Sequence, residues 1–167
     1  MKVLAAILLS LWPILSAIAD VHPPNESVLS RFLRYVKIDT QSKEDQTTVP
    51  STKKQFDLAN LLARELKELG IENVQVSEFA IVYARVSGNL ADDSKVPALG
   101  FIAHMDTSPA VSDENVHPII HTNYQGGNVI LPQDQTQVIT VAQNPILKEM
   151  IGDDLITADG TTLAYSP

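Results

Sequence analysis

The chain has 167 residues, 44% of them hydrophobic, a formal charge of −8 and no cysteine. There is apolar material for one modest domain, while the acidic balance excludes a general nucleic-acid binder or a protein that adheres to anionic membranes, since both need a basic face. The missing cysteines exclude a disulfide scaffold, thiolate metal sites and a cysteine nucleophile, so any metal must be held by His, Asp or Glu.

Residues 1–19 carry Lys2, an apolar run from Val3 to Leu15, and then Ala17-Ile18-Ala19. That is the layout of a secretory signal peptide cleaved after Ala19. The run is short for a membrane span, and Pro13 interrupts it. The expectation is a secreted or periplasmic protein whose mature chain begins at Asp20 and has no membrane association after cleavage. Asn25-Glu26-Ser27 forms an N-glycosylation sequon near that terminus.

After Pro23-Pro24, "ESVLSRFLRYVKID" places Val28, Leu29, Phe32, Tyr35 and Val36 on one helical face, an amphipathic helix expected to pack on a sheet. "TQSKEDQTTVPST" is polar and reads as a loop. A second helix follows over "KKQFDLANLLARELKELG", with Ser51 or Thr52 as N-cap. Ala59, Leu62, Leu66 and Leu69 stand in register, and Gly70 takes the left-handed C-terminal position. Val74 and Val76, with Ile71, alternate with polar residues as a strand, and "AIVYARVSGNL" reads as the next.

"ADDSKVP" is a turn. "ALGFIAHMD" is a third strand, apolar on both faces and therefore expected at the centre of a sheet covered by helices. Beyond Pro109 the pattern is irregular: a Gly-Gly turn in "NYQGGNVIL", a short strand in "QVITVA", one or two helical turns in "NPILKEMIG", and a hairpin about Asp159-Gly160. The order is that of an α/β fold with a central sheet flanked by helices.

The third strand ends on His104-Met105-Asp106. Alternation along a strand puts His104 and Asp106 on the same side, and ligands gather at the C-terminal ends of strands in open α/β sheets. A histidine there can offer one ring nitrogen to a metal while a carboxylate accepts the other ring N–H or approaches the metal itself. Spacing alone leaves a hydrogen-bonded structural histidine as the commoner outcome. Ser108 lacks a Gly-x-Ser-x-Gly elbow and stands too close to His104 in sequence for a nucleophile–base pair. His117 and His121 would share a face of a helix, but Pro118 and the following Gly-Gly argue for a loop pair instead. His22 and the acidic pairs Asp113-Glu114 and Asp153-Asp154 read as solvated.

The blocks "RFLRYVKIDTQS", "VPST", "ELKELGIENVQVSE", "PALGFIAHMDTSP", "NVHPIIHTNYQGGNVIL" and "LITADGTTL" occur in this order and spacing. In them the chain resembles the peptidase T family, tripeptide aminopeptidases among the dizinc M20 metallopeptidases. The resemblance implies that residues 20–167 are the N-terminal part of an M20-type zinc-peptidase catalytic domain. It implies two zinc ions sharing a bridging water, with a glutamate as general base and tripeptides as substrates. By the motif, His104 is a zinc ligand and Asp106 the active-site carboxylate that orients its imidazole.

After "TADGTTL" the family continues with a segment of the kind Leu-Gly-Ala-Asp-Asp-Lys-Ala-Gly, whose first aspartate bridges the metals. Here Pro167 falls at that position. The glutamate pair, a further acidic ligand, a second histidine and the dimerisation domain through which the family forms homodimers would all lie downstream. The chain by itself is therefore expected to be incomplete, inactive and marginally stable. The alternative reading is a truncated, non-catalytic remnant or a peptide-binding fragment.

Overall fold

The computed structural model describes residues 21–88 and 95–162. The export segment with its cleavage site, the end of the second expected strand, most of the turn after it, and residues 163–167 lie outside the described residues.

Helix α1 spans Val28–Tyr35, and the Ser27 hydroxyl caps it by accepting the Ser30 N–H at 3.1 Å. Helix α2 spans Gln55–Glu68. Its C-terminus is closed as the sequence implies. Gly70 adopts φ 86°, the Gly70 N–H donates to the Lys67 carbonyl at 3.0 Å, and the Ile71 N–H reaches back to Leu66 at 3.1 Å. This is a Schellman closure, which needs a residue tolerant of positive φ at Gly70. At the other end Lys54 is the cap position, without a side-chain cap bond. Ser51 and Thr52 are used otherwise. The Thr52 hydroxyl donates to the Gln41 carbonyl at 2.7 Å, and the Ser51 hydroxyl accepts the Lys43 N–H at 3.1 Å. The two expected caps thus tie the preceding loop to the start of α2.

Strands β1 (Asn73–Val76) and β2 (Val82–Arg85) pair antiparallel, with Val74 opposite Ala84 and Val76 opposite Val82. The hairpin lies on α2. Ala63, Ile71 and Val74 form a buried cluster with Leu66, Val76 and Val82 packed around it. Gln55, Leu58, Ala59 and Ala63, at successive spacings of three, one and four residues, give α2 its buried stripe.

The second half is built from pairs of short strands. β3 (Pro118–His121) pairs antiparallel with β6 (Leu155–Ala158), and β4 (Val129–Ile130) with β5 (Val138–Ile139). A 3-10 turn, Pro145–Lys148, lies between β5 and β6. Tyr124, Val129, Leu147 and Leu155 form the second buried cluster, with Ile139, Val141 and Met150 against it.

The fold is mixed α/β, but three sequence expectations are corrected. First, the described residues contain three separate two-stranded antiparallel sheets rather than a central sheet flanked by helices. "ALGFIAHMD" forms no strand: 97–106 runs without turn or bend, and Leu99, Phe101 and Ile102 face outward. A strand apolar on both faces needs neighbours on both edges and helices on both faces, and none of the described strands flanks it. Second, α1 has no buried residue and does not pack its apolar face on a sheet. It is held to α2 by polar groups. Third, β6 takes β3 as its partner, so Asp159-Gly160 is not the tip of a hairpin among the described residues. Gly160, at φ 104°, instead packs against the 131–134 loop, and the Gln133 N–H donates to the Asp159 carbonyl at 2.8 Å.

Candidate functional site

His104 and Asp106 sit at the end of the unpaired 97–106 segment. They come together there: His104 Nδ1 lies 3.4 Å from Asp106 Oδ1 and 3.0 Å from the Asp106 carbonyl oxygen. The His104 side chain is 86% exposed and that of Asp106 50%. A ring that uses Nδ1 in this way leaves Nε2 free to face outward.

The chain becomes held immediately after Asp106. Thr107 forms a parallel bridge with Gln41. The Thr107 carbonyl accepts from the Ser42 N–H at 3.0 Å and from the Ser42 hydroxyl at 2.7 Å, and the Thr107 N–H donates to Thr40 at 3.4 Å. Gln41 Nε2 donates to the Val111 carbonyl, and to Pro109 at 3.4 Å. The Ser108 hydroxyl accepts the Ala110 N–H at 3.2 Å, so it serves the turn rather than His104.

Asp113 locks this arrangement. Its Oδ2 accepts the Thr40 N–H at 3.1 Å and the Thr107 hydroxyl. Thr40 is 2% exposed. The reading of Asp113 as a solvated loop charge is therefore corrected: its carboxylate satisfies a buried N–H from a segment 73 residues away in sequence. Asp39 adjoins the same place. It accepts from Lys54 Nζ at 2.6 Å and from the Gln41 N–H at 3.0 Å. Burial pushes its carboxyl up, but the Lys54 bond and the neighbouring hydrogen bonds outweigh burial and hold it below the ordinary value. Asp39 in turn raises the Lys54 ammonium. Nothing in local spacing joins residues 39–42 to 107–113, so sequence reasoning missed Asp39, Lys54 and Asp113.

His117 and His121 are not brought together on a helix. His121 ends β3, and its Nε2 lies 2.9 Å from the Thr157 hydroxyl. That hydroxyl donates to the Ala158 carbonyl, so it accepts from an Nε2-protonated ring. His117 Nδ1 lies 3.3 Å from the buried Asp159 carboxylate. The Thr161 hydroxyl and N–H hold that carboxyl below its ordinary value, with a smaller contribution from His117. Asp154 is exposed, as read from the sequence, and also accepts the Asn123 N–H at 2.8 Å. His22 is fixed through its backbone, donating to the Leu69 carbonyl at 2.9 Å.

Two clefts, of about 560 and 540 Å³, open elsewhere. The first lies between Pro23, Glu26, Arg31, Arg34 and Glu65, the second between Gln41, Ser42, Thr52, Lys54 and Pro109. Neither lining includes His104 or Asp106. Among the described residues no group of three or more His, Asp or Glu converges as a metal site. A catalytic zinc takes about three protein ligands, so one imidazole beside one carboxylate does not make up a zinc centre.

No family model matches the chain. Curated proteins do. A Peptidase T of Listeria welshimeri is 45% identical over 138 residues, covering 83% of this chain and 33% of its own length. A Peptidase T of Alkaliphilus oremlandii is 45% identical over the same span, with 34% of its length covered. One from Clostridium botulinum is 44% identical, again over 138 residues and 33% of its length. The chain is a homologue of Peptidase T. It spans about a third of the length of the curated relatives it matches. A match of 138 residues extends well beyond the His-x-Asp triplet.

Proposed function

We propose that this chain supplies part of the catalytic unit of a tripeptidase-like hydrolase that releases the N-terminal residue of tripeptides. The carrying observation is the 45% identity to Peptidase T over 138 residues. In this reading residues 20–167 are the N-terminal part of the catalytic domain. His104 offers Nε2 to one of two zinc ions, and Asp106, already beside Nδ1, fixes the ring. Zinc would supply Lewis-acid polarisation and an activated water. The other ligands and the general base have to come from outside the described residues, and no step of hydrolysis is assigned to the residues within them.

The test is a chimera. The 138 matched residues of this chain replace their counterparts in the Listeria welshimeri enzyme, and metal-dependent hydrolysis of tripeptides is measured. Activity is expected, and His104→Ala and Asp106→Ala are each expected to lower kcat/KM by at least about 100-fold. A folded chimera without activity, or full activity in His104→Ala, would refute the proposal.

A second reading is a non-catalytic peptide-binding fragment, in keeping with the finding that among the described residues no three His, Asp or Glu converge. Under it the purified chain binds tripeptides without turning them over, with or without zinc. The apolar run from Val3 to Leu15 further supports export. Fractionation of cells carrying a C-terminally tagged chain tests this, and an uncleaved cytosolic product would refute it.

A further inference from the structure

The His104 side chain is 86% exposed, so packing does not hold its ring. Two acceptors on Asp106 do: the carbonyl oxygen, 3.0 Å from Nδ1, and the carboxylate oxygen at 3.4 Å. A carbonyl can only accept, so Nδ1 carries the proton and Nε2 the lone pair. The nearer acceptor belongs to the peptide between Asp106 and Thr107. That unit is planar and trans, so its carbonyl points opposite to the Thr107 N–H. Whatever aims this N–H therefore aims the carbonyl that the ring follows.

The Thr107 N–H donates to the Thr40 carbonyl at 3.4 Å. Thr40, 2% exposed, is itself held: its N–H donates to Asp113 Oδ2 at 3.1 Å, and the same oxygen accepts the Thr107 hydroxyl. These three bonds close a ring through Thr40, Thr107 and Asp113. On either side of Thr40 the chain is fastened to the start of α2. Asp39 accepts from Lys54 Nζ at 2.6 Å, and the Gln41 carbonyl accepts the Thr52 hydroxyl at 2.7 Å. The ring thus links a helix end to the peptide that orients His104.

We propose that Asp113 is a positioning residue for the His104 imidazole: by holding Thr40 and Thr107 together it aims the Asp106–Thr107 peptide, keeps the proton on Nδ1 and presents Nε2 outward. On the reading under Proposed function, this readies His104 as a zinc ligand before any metal arrives. A role confined to stability would need only an acceptor for the buried Thr40 N–H. The second bond, to the Thr107 hydroxyl, goes to the residue next to Asp106, where a positioning contact acts on the ring.

The test reads the His104 tautomer in the metal-free full chain, from the NMR shifts of isotope-labelled histidine nitrogens at about pH 8, where a free imidazole is neutral. The wild-type chain is expected to carry the proton on Nδ1. Asp113→Ala should move the tautomer ratio toward Nε2–H by about 2- to 12-fold, the worth of one hydrogen bond, and Asp113→Asn, which keeps an oxygen, should restore most of it. Gly160→Ala, which strains the contact with the 131–134 loop instead, should leave the ratio unchanged, and so separates positioning from a general loss of stability. If Asp113→Ala does not fold, Thr107→Val, which removes only the hydroxyl link, decides by a shift in the same direction. In the chimera, Asp113→Ala should lower kcat about 10-fold and leave KM within about twofold. An unmoved tautomer in folded Asp113→Ala (or in Thr107→Val where it decides), an equal shift in Gly160→Ala, or an unchanged kcat overturns the proposal. Any of these beside an active wild-type chimera defeats this inference alone; an inactive wild-type chimera defeats the proposed function and this role with it.

Discussion

Removing the Glu65 carboxylate should release α1 while leaving the rest of the chain folded. The Glu65 side chain is 11% exposed and gathers three donors from α1: Arg34 at 2.5 Å, Arg31 at 3.4 Å, and the Tyr35 hydroxyl. An eight-residue helix is too short to persist on its own, and α1 buries no residue, so these polar links are its main attachment to α2. Hydrogen bonds to a charged group contribute about 1.5–3 kcal/mol each when buried. Arg31 and Arg34 are 25% and 38% exposed, and solvent screening reduces each link to about 1 kcal/mol. Together they give about 2–3 kcal/mol for docking α1.

In Glu65→Ala, amide exchange over α1 should therefore quicken by about 30–160-fold, at about 1.4 kcal/mol per tenfold, while β3 and β6 keep their protection. The pH dependence has a definite sign. Burial pushes the Glu65 carboxyl up, yet the Tyr35 and Arg34 bonds and the two guanidinium charges outweigh it and leave the value lowered. A lowered carboxyl stabilises fully above the unfolded glutamate value of about 4.3 and loses its contribution as pH falls through the folded value. Docking of α1 should weaken in acid below about pH 4 in the wild-type chain and show little pH dependence there in Glu65→Gln. Unchanged α1 exchange in Glu65→Ala, or equal loss in Val28→Asp, would refute the claim that polar links hold this helix.

Other outcomes are expected on the same grounds. Asp113→Ala strips the buried Thr40 N–H of its acceptor and should cost about 1–3 kcal/mol in urea unfolding; Asp113→Asn, which keeps an oxygen, should recover a good part, and equal losses would argue against the hydrogen bond as the cause. Gly160→Ala forces a Cβ to 3.0 Å from the Asp134 nitrogen and 3.1 Å from Leu131 Cβ at φ 104°, so about 1–3 kcal/mol should be lost, and a change below about 0.5 kcal/mol would contradict the close approach. The lowered Asp159 carboxyl stabilises above the usual aspartate value and loses that contribution as pH falls through its folded value. Thr161→Val should therefore flatten the acid limb of stability, measured by urea unfolding across pH 2–5 (roughly the carboxylate range), and an unaltered limb would show that Thr161 does not set it.

Local chemistry was legible in the sequence. Gly70 ends α2 because no other residue tolerates the left-handed position at so little cost, and helix α2 and strands β1 and β2 follow from periodicity and turn residues, although of the expected stripe Ala59, Leu62, Leu66 and Leu69 only Ala59 is fully buried. The His104–Asp106 pairing was also readable, since residues two apart in an unbent chain share a side and their side chains meet with or without a sheet. What depended on residues far apart was not. Periodicity marks the apolar face of α1 but does not say what it meets, and it was Glu65 on α2 that decided how α1 docks. The hydroxyls of Ser51 and Thr52 went to the 41–43 loop rather than the helix end, because that loop presented better-placed backbone partners. The apolar pattern of 98–105 specifies a strand buried on both sides, but a strand exists only by hydrogen bonding to neighbours. The described residues supply none, so tertiary structure left it extended, exposed and tied down only from Thr107 onward.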